Sequence, residues 1–220
     1  SEYFAATTYT GTGATQSISN DVNGVSFQPD LVWIKARSIA YSHVATNSVA
    51  GATKFLVPNG TDSEYTQADT LTSFNPDGFS LGADATYLNF NANTKTYVAW
   101  NWKAGGAAVT NTAGSITSQV SASPTAGFSV VTYTGTGAAA SVGHGLGATP
   151  SIVIIKDRDA VTSWLVIDNI VSTAGYTILQ ATDARATLGA GWAPDSTKIN
   201  LDSASAQINT SGRNYISYCF

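Results

Sequence analysis

The feature that most constrains this 220-residue chain is that it matches itself. Tyr9-Thr10-Gly11-Thr12-Gly13-Ala14 recurs as Tyr133-Thr134-Gly135-Thr136-Gly137-Ala138, and Ser17-Ile18 recurs as Ser141-Val142. Pro29-Asp30-Leu31-Val32-Trp33-Ile34-Lys35-Ala36-Arg37 returns as Pro150-Ser151-Ile152-Val153-Ile154-Ile155-Lys156-Asp157-Arg158. Phe79-Ser80-Leu81 aligns with Ile199-Asn200-Leu201, and Tyr97-Val98-Ala99-Trp100-Asn101-Trp102 with Tyr215-Ile216-Ser217-Tyr218-Cys219-Phe220. The order is conserved and the offset drifts slowly, as loop deletions would produce. The pattern predicts a duplication. Its units are residues 1–102 and 128–220, joined by an Ala/Gly/Ser/Thr-rich linker, 103–127, that holds a candidate edge strand at 114–120.

Each unit reads as all-β. Ile152-Val153-Ile154-Ile155 and Leu31-Val32-Trp33-Ile34 are short apolar runs after a proline, the pattern of strands buried on both faces. Asn75-Pro76-Asp77-Gly78 has turn chemistry and leads into an alternating run. Helix signals are confined to residues 51–56 and 181–188, where one or two turns are expected; abundant Thr, Ser, Gly and Asn oppose anything longer. The expected fold is two tandem repeats of an antiparallel β-sandwich or jelly-roll-like unit. Parallel sheets would need crossover helices that the pattern lacks.

Composition excludes several functions. Only 11% of residues are charged and the net charge is -4, with 10 Lys plus Arg, so no basic face exists for nucleic acid. No run approaches 18 apolar residues, so no membrane-spanning helix is expected. The alternating C-terminal run ends in Phe like an outer-membrane barrel terminus, but the same motif stands mid-chain at 97–102, so no membrane insertion is predicted. The N-terminus has no secretory pattern. Residues 104–155 contain no Asp, Glu, Lys or Arg, and are expected at subunit or inter-unit contacts, where small polar residues avoid the cost of burying ions.

Catalytic and metal chemistry is thin. His43, His144 and Cys219 lie far apart in sequence, unlike a zinc or iron site. His144, in Gly143-His144-Gly145-Leu146-Gly147, is expected to bond nearby backbone, His43 to pack, and Cys219 to fill the core of the last strand. That glycine-rich run precedes a strand, not a helix, which rejects a dinucleotide loop. No Gly-x-Ser-x-Gly occurs. Most aspartates sit in turns; Asp168 comes closest to a buried acid and is expected to cap its strand. Calcium is considered at 62–64, 84–86 and 202–203, none with the ligand alternation of a dedicated loop. No catalytic residue, cofactor or metal is therefore assigned. Trp33, Trp100, Trp102 and Trp164 lie in strand patterns and are expected in the core. Trp192 and Tyr87 are the candidates for receptor or glycan contact.

Three long motifs stand out: Phe27-Gln28-Pro29-Asp30-Leu31-Val32-Trp33-Ile34-Lys35-Ala36-Arg37, Leu71-Thr72-Ser73-Phe74-Asn75-Pro76-Asp77-Gly78-Phe79-Ser80-Leu81 and Tyr97-Val98-Ala99-Trp100-Asn101-Trp102-Lys103-Ala104-Gly105-Gly106. They resemble a module of tailed-bacteriophage virion proteins, of tail-fibre-like or unknown-function type. Residues 127–137 and 142–147 belong to the same pattern. The resemblance fades after about residue 170: the Gly-Ala-Thr-Lys-Phe-Leu stretch at 51–56 has no second-unit counterpart. It implies a non-enzymatic structural protein made in the host cytoplasm and placed on the virion surface, as a tail-fibre or appendage subunit or a capsid decoration protein. The implied partners are other virion proteins and further copies of itself, a trimer being one option. The alternative is a carbohydrate- or receptor-binding adhesin module that contacts a host surface glycan.

Overall fold

The computed structural model describes residues 1–169, 174–189, 191–201, 205 and 207–220. The chain divides into two compact units, Ser1–Asn59 with Glu64–Gly106, and Gly60–Ser63 with Ala107–Phe220. Residues 103–127, expected as a linker, contribute two strands to the second unit's main sheet.

In the first unit the strands are β1 (Phe4–Thr10), β2 (Gln16–Ser19), β3 (Leu31–Ala36), β4 (Val44–Asn47), β5 (Lys54–Phe55), β6 (Tyr65–Thr66), β7 (Leu71–Asn75), β8 (Gly78–Leu81) and β9 (Thr96–Trp102). The main sheet has the order β1-β9-β3-β4, a second sheet the order β2-β8-β7, and β5 pairs with β6. Val32, Ile34, Ala36, Tyr97 and Ala99 from the main sheet meet Ile18, Leu71, Phe79 and Leu81 from the second across one apolar core.

The second unit holds β10 (Val109–Asn111), β11 (Ser118–Ser123), β12 (Phe128–Thr134), β13 (Ala140–Gly143), β14 (Ile152–Asp157), β15 (Leu165–Asp168), β16 (Gly175–Ile178), β17 (Ala186–Thr187), β18 (Lys198–Leu201) and β19 (Asn214–Cys219). Eight of them form one sheet in the order β10-β11-β12-β19-β14-β15-β16-β17, and β13 pairs with β18. Val131, Tyr133, Val153, Ile155 and Tyr215 pack against Val142, Ile199 and Leu201. Ile216 and Tyr218 are buried as well, so β19 is covered on both faces.

All ladders are antiparallel, and no helix occurs among the described residues. The two expected helical turns are corrected. Gly51 and Thr53 have positive φ, and the chain then enters β5, where Lys54 opposes Thr66. At 186–187 the chain pairs with Tyr176 and Gly175 instead. Strand pairing satisfies more backbone groups there than a single helical turn could.

The expectation that four tryptophans fill the core holds only for Trp164, which is fully buried. Val32 and Ile34 face the first unit's core, so side-chain alternation turns Trp33 to the other face. There it stands opposite Trp100, and both are half-buried. The uncharged stretch 104–155 is mixed: Val109, Thr110, Thr117 and Gln119 are exposed, while Val120, Val131 and Val153 are core.

The Tyr-Thr-Gly-Thr-Gly-Ala segments are held alike in the two units. Tyr9 stacks on Tyr97 with centroids 5.1 Å apart, and Tyr133 on Tyr215 at 5.2 Å. The Tyr9 and Tyr133 hydroxyls donate to the carbonyls of Phe90 and Ile208, each at 2.7 Å. Asn91 accepts from Thr12 N and donates to the carbonyls of Ala14 and Gly82. Asn209 accepts from Thr136 N and donates to Ala138 O. Gly11 and Gly135 allow the close approach: a Cβ there would lie 2.2 Å from Ala92 O and 2.4 Å from Thr210 O.

Replacing Asn91 by Ala strands a buried carbonyl and two turn groups. A destabilisation of about 2–4 kcal/mol is expected in urea melts. Asn209→Ala should cost a comparable amount, since Asn209 pins the same turn.

Candidate functional site

Neither sequence-nominated aromatic stands free. Tyr87 is half-buried and contacts Phe55 and Tyr65 edge-on, at centroid distances of 5.1 and 5.3 Å. Trp192 is half-buried against the second unit's core, its indole beside Gly189. The two lie in different units.

The other singled-out groups have structural jobs. His144 is fully buried; its Nδ1 accepts from Leu146 N at 3.2 Å, which leaves Nε2 protonated to donate to Asp195 O at 3.0 Å. His43 Nδ1 accepts the Trp33 indole N–H at 3.0 Å. Burial lowers the pKa of both rings, so both are neutral at pH 7. Cys219 is fully buried in β19, and burial pushes its thiol up to about 12, which makes it inert. Asp168 takes a bidentate ion pair with Arg185 at 2.8–3.0 Å. That pairing holds its carboxyl below the usual range, the opposite of a general acid. Asp84 turns Oδ2 onto the N–H groups of Phe90 and Asn91, at 2.6 and 3.0 Å. Residues 202–203 lie outside the described residues. Among the described residues, no group of three His, Cys, Asp or Glu could hold a metal ion.

A buried polar cluster in the second unit escaped the sequence reading. Lys156 is fully buried and donates to Asp157 O at 2.6 Å, Ala160 O at 3.1 Å and Thr162 Oγ1 at 3.3 Å. Asp157, equally buried, accepts from the N–H groups of Asp159 and Ala160 and from Arg213. Burial lowers the Lys156 pKa to about 8, with Asp157 and Asp62 working the other way. All its donors are used on the 157–162 turn. The ammonium therefore holds a loop and attacks nothing. In the sequence Lys156 is only a cation that follows the apolar run Ile152-Val153-Ile154-Ile155, a place where such side chains usually meet water.

One concavity of the second unit combines an aromatic ring with a carboxylate and other polar groups. A cleft of about 300 Å³ is lined by Tyr176, Thr177, Ile178, Asp183, Ala186 and Gln207, among others. Register builds it: Tyr176 opposes Ala186, and Gly175 opposes both Asp168 and Thr187. A Cβ at Gly175 would lie 2.2 Å from the Arg185 guanidinium carbon. Glycine thus lets Arg185 cross β16 to reach Asp168, and that fork braces the 179–185 loop that carries Asp183. A ring, a carboxylate, an amide and a hydroxyl around one small cleft suit a polyhydroxylated ligand the size of one sugar ring.

Two pH effects follow. Lys156 stays protonated in the unfolded chain up to about pH 10.4 but loses its proton near pH 8 when folded. Between those values the unfolded state binds more protons, so stability rises with pH. Wild type should gain on Lys156→Met by about 1–3 kcal/mol between pH 8 and 10.5 in paired urea melts. His144 has the opposite window. Below about pH 6.5 the unfolded imidazole takes a proton that the folded one resists, so acid destabilises the fold. The stability gap between wild type and His144→Ala should therefore narrow on acidification from about pH 7.5 to 5.

No curated protein and no solved structure matches the chain. A family model described as a domain of unknown function matches it over residues 1–220. With the whole length matched, the chain belongs to the DUF7483 family.

Proposed function

We propose that this protein is a non-enzymatic structural component of the surface of a bacteriophage particle, built from two copies of one β-sandwich unit in tandem. The observation that carries this reading is the tyrosine–asparagine network present in both units. Buried polar side chains there lock turns, and fully satisfied networks of that kind rigidify a fold. Both histidines and the cysteine are likewise committed to packing or backbone bonds. The motifs at 27–37, 71–81 and 97–106 support the virion setting through their resemblance to phage tail-fibre-like modules. Its partners are further copies of the chain and other virion proteins, as a tail appendage or a head decoration. Gold-labelled antibody against the chain should mark the surface of intact particles in electron micrographs. Particles purified free of the chain would overturn the assignment.

The cleft at β16 and β17 favours a second reading, a glycan- or receptor-binding module. Under it, Tyr176→Ala and Asp183→Asn each weaken binding to host-surface polysaccharide by about tenfold, the loss of one good contact. Unchanged binding in a glycan array, with unchanged melting, leaves the scaffold role alone.

A further inference from the structure

The two units treat one sheet edge differently. Tyr9 and Gly11 correspond to Tyr133 and Gly135, so β1 and β12 hold the same place beside β9 and β19. Lys103 N donates to Tyr3 O and Gly11 N to Lys95 O. Antiparallel alternation then gives the odd residues of β1 to β9 and aims the backbone groups of Phe4, Ala6, Thr8 and Thr10 outward. Gly135 N donates to Arg213 O, which fixes the same parity in β12. There the outward residues Phe128, Val130 and Thr132 are paired with Ser123, Ser121 and Gln119 of β11. Among the described residues, β1 has no such cover. Ala6 and Thr8 are exposed, and the main sheet of the first unit ends at β1.

Exposed edges are usually blunted by charge, proline or shortness. Phe4-Ala5-Ala6-Thr7-Thr8-Tyr9-Thr10 has none of these defences. Two of its outward groups are already used: the Phe4 N–H donates to Ser1 Oγ, and the Thr10 carbonyl accepts from Gln16 Nε2. The free groups are Phe4 O, Thr10 N and both groups of Ala6 and Thr8.

We propose that β1 pairs antiparallel with β1 of a second copy of this chain, about a two-fold axis at Thr7. In that register Ala6 and Thr8 of opposite copies exchange both hydrogen bonds, and Thr10 N donates to the partner copy's Phe4 carbonyl. The two groups left facing each other are the Phe4 N–H and the Thr10 carbonyl, which already have local partners. A shift by two residues either way would set a taken group against a free one. The register that consumes every free group is thus the self-complementary one, which selects a second copy over an unrelated strand. The interface is isologous and closes as a dimer, and it stands whether or not the particle assignment does.

Sedimentation equilibrium of the full chain, at micromolar to near-millimolar concentration, tests this. Wild type should show a dimer. Ala6→Pro removes an outward N–H without touching the β1–β9 ladder, and Thr8→Lys places a charge on the edge with the backbone intact; both should be monomeric. Where Ala6→Pro fails to fold, Thr8→Lys alone decides. The double variant Ala6→Cys/Thr8→Cys should form an interchain disulfide under mild oxidation. A wild-type monomer, a dimer that survives Thr8→Lys, or a dimer that does not cross-link would each overturn the proposal. So would a monomer that takes up a peptide of the Ser118–Ser123 sequence, since the edge would then prefer a different strand.

Discussion

With no helix among its described residues and few ions, the chain must satisfy its backbone through ladders and through side chains that reach into turns. Asn91 does the second job in the first unit. Its carboxamide reaches Thr12 and Ala14 in one turn and Gly82 far along the chain, and so closes the turn after β1 against the end of β8. Asn209 does the same for Thr136 and Ala138. The stacked tyrosines beneath depend on that closure, because the Tyr9 and Tyr133 hydroxyls are spent on the carbonyls just before each asparagine. Leaving any of these groups unpaired in the interior would cost the full price of desolvation, so the strands, the turn and the aromatic pair stand or fall together.

The same economy explains the charge content. Buried positions that could have held ion pairs hold amides and hydroxyls instead, such as Asn20, Asn47, Asn101 and Ser121. Among the described residues four charged side chains are nonetheless buried. Asp30 and Asp84 accept from backbone N–H groups, and in the Lys156–Asp157–Arg213 cluster two buried charges are tolerated because every ammonium proton meets an oxygen. The exposed positions of β10 and β11 are Val109, Thr110 and Gln119, none of them charged. That leaves edges poorly defended by charge, and the chain covers one itself, with β11, while leaving the other open.

Much of the fold was legible because strand alternation and turn chemistry are local. Pro150 followed by Ile152-Val153-Ile154-Ile155 marked β14, and Asn75-Pro76-Asp77-Gly78 marked the β7–β8 hairpin. His144 bonding nearby backbone could be inferred from its glycine-rich turn. The tryptophans could not be placed so well. A run buried on both faces does not show which residue meets which layer, and Trp33 and Trp100 fell opposite the core. Lys156 is hard to place for a related reason: a cation at a strand end normally meets water, and only the fold of the 157–162 turn over it replaces that water. The β16–β17 cleft was invisible because its lining converges from residues 176, 183, 186 and 207.

By itself the sequence determined an all-β chain whose Tyr-Thr-Gly-Thr-Gly-Ala turn occurs twice, because those properties reside in side-chain periodicity and in backbone freedom at glycine. It also determined that Cys219 would be buried, since it lies within a strand of apolar and aromatic residues. Tertiary structure decided which asparagines hold the turns and which face carries the tryptophans. It also decided that β12 is covered and β1 is not. Those outcomes depend on groups brought together from distant parts of the chain, and pairing between distant strands is set by the register of whole sheets rather than by any local pattern of residues.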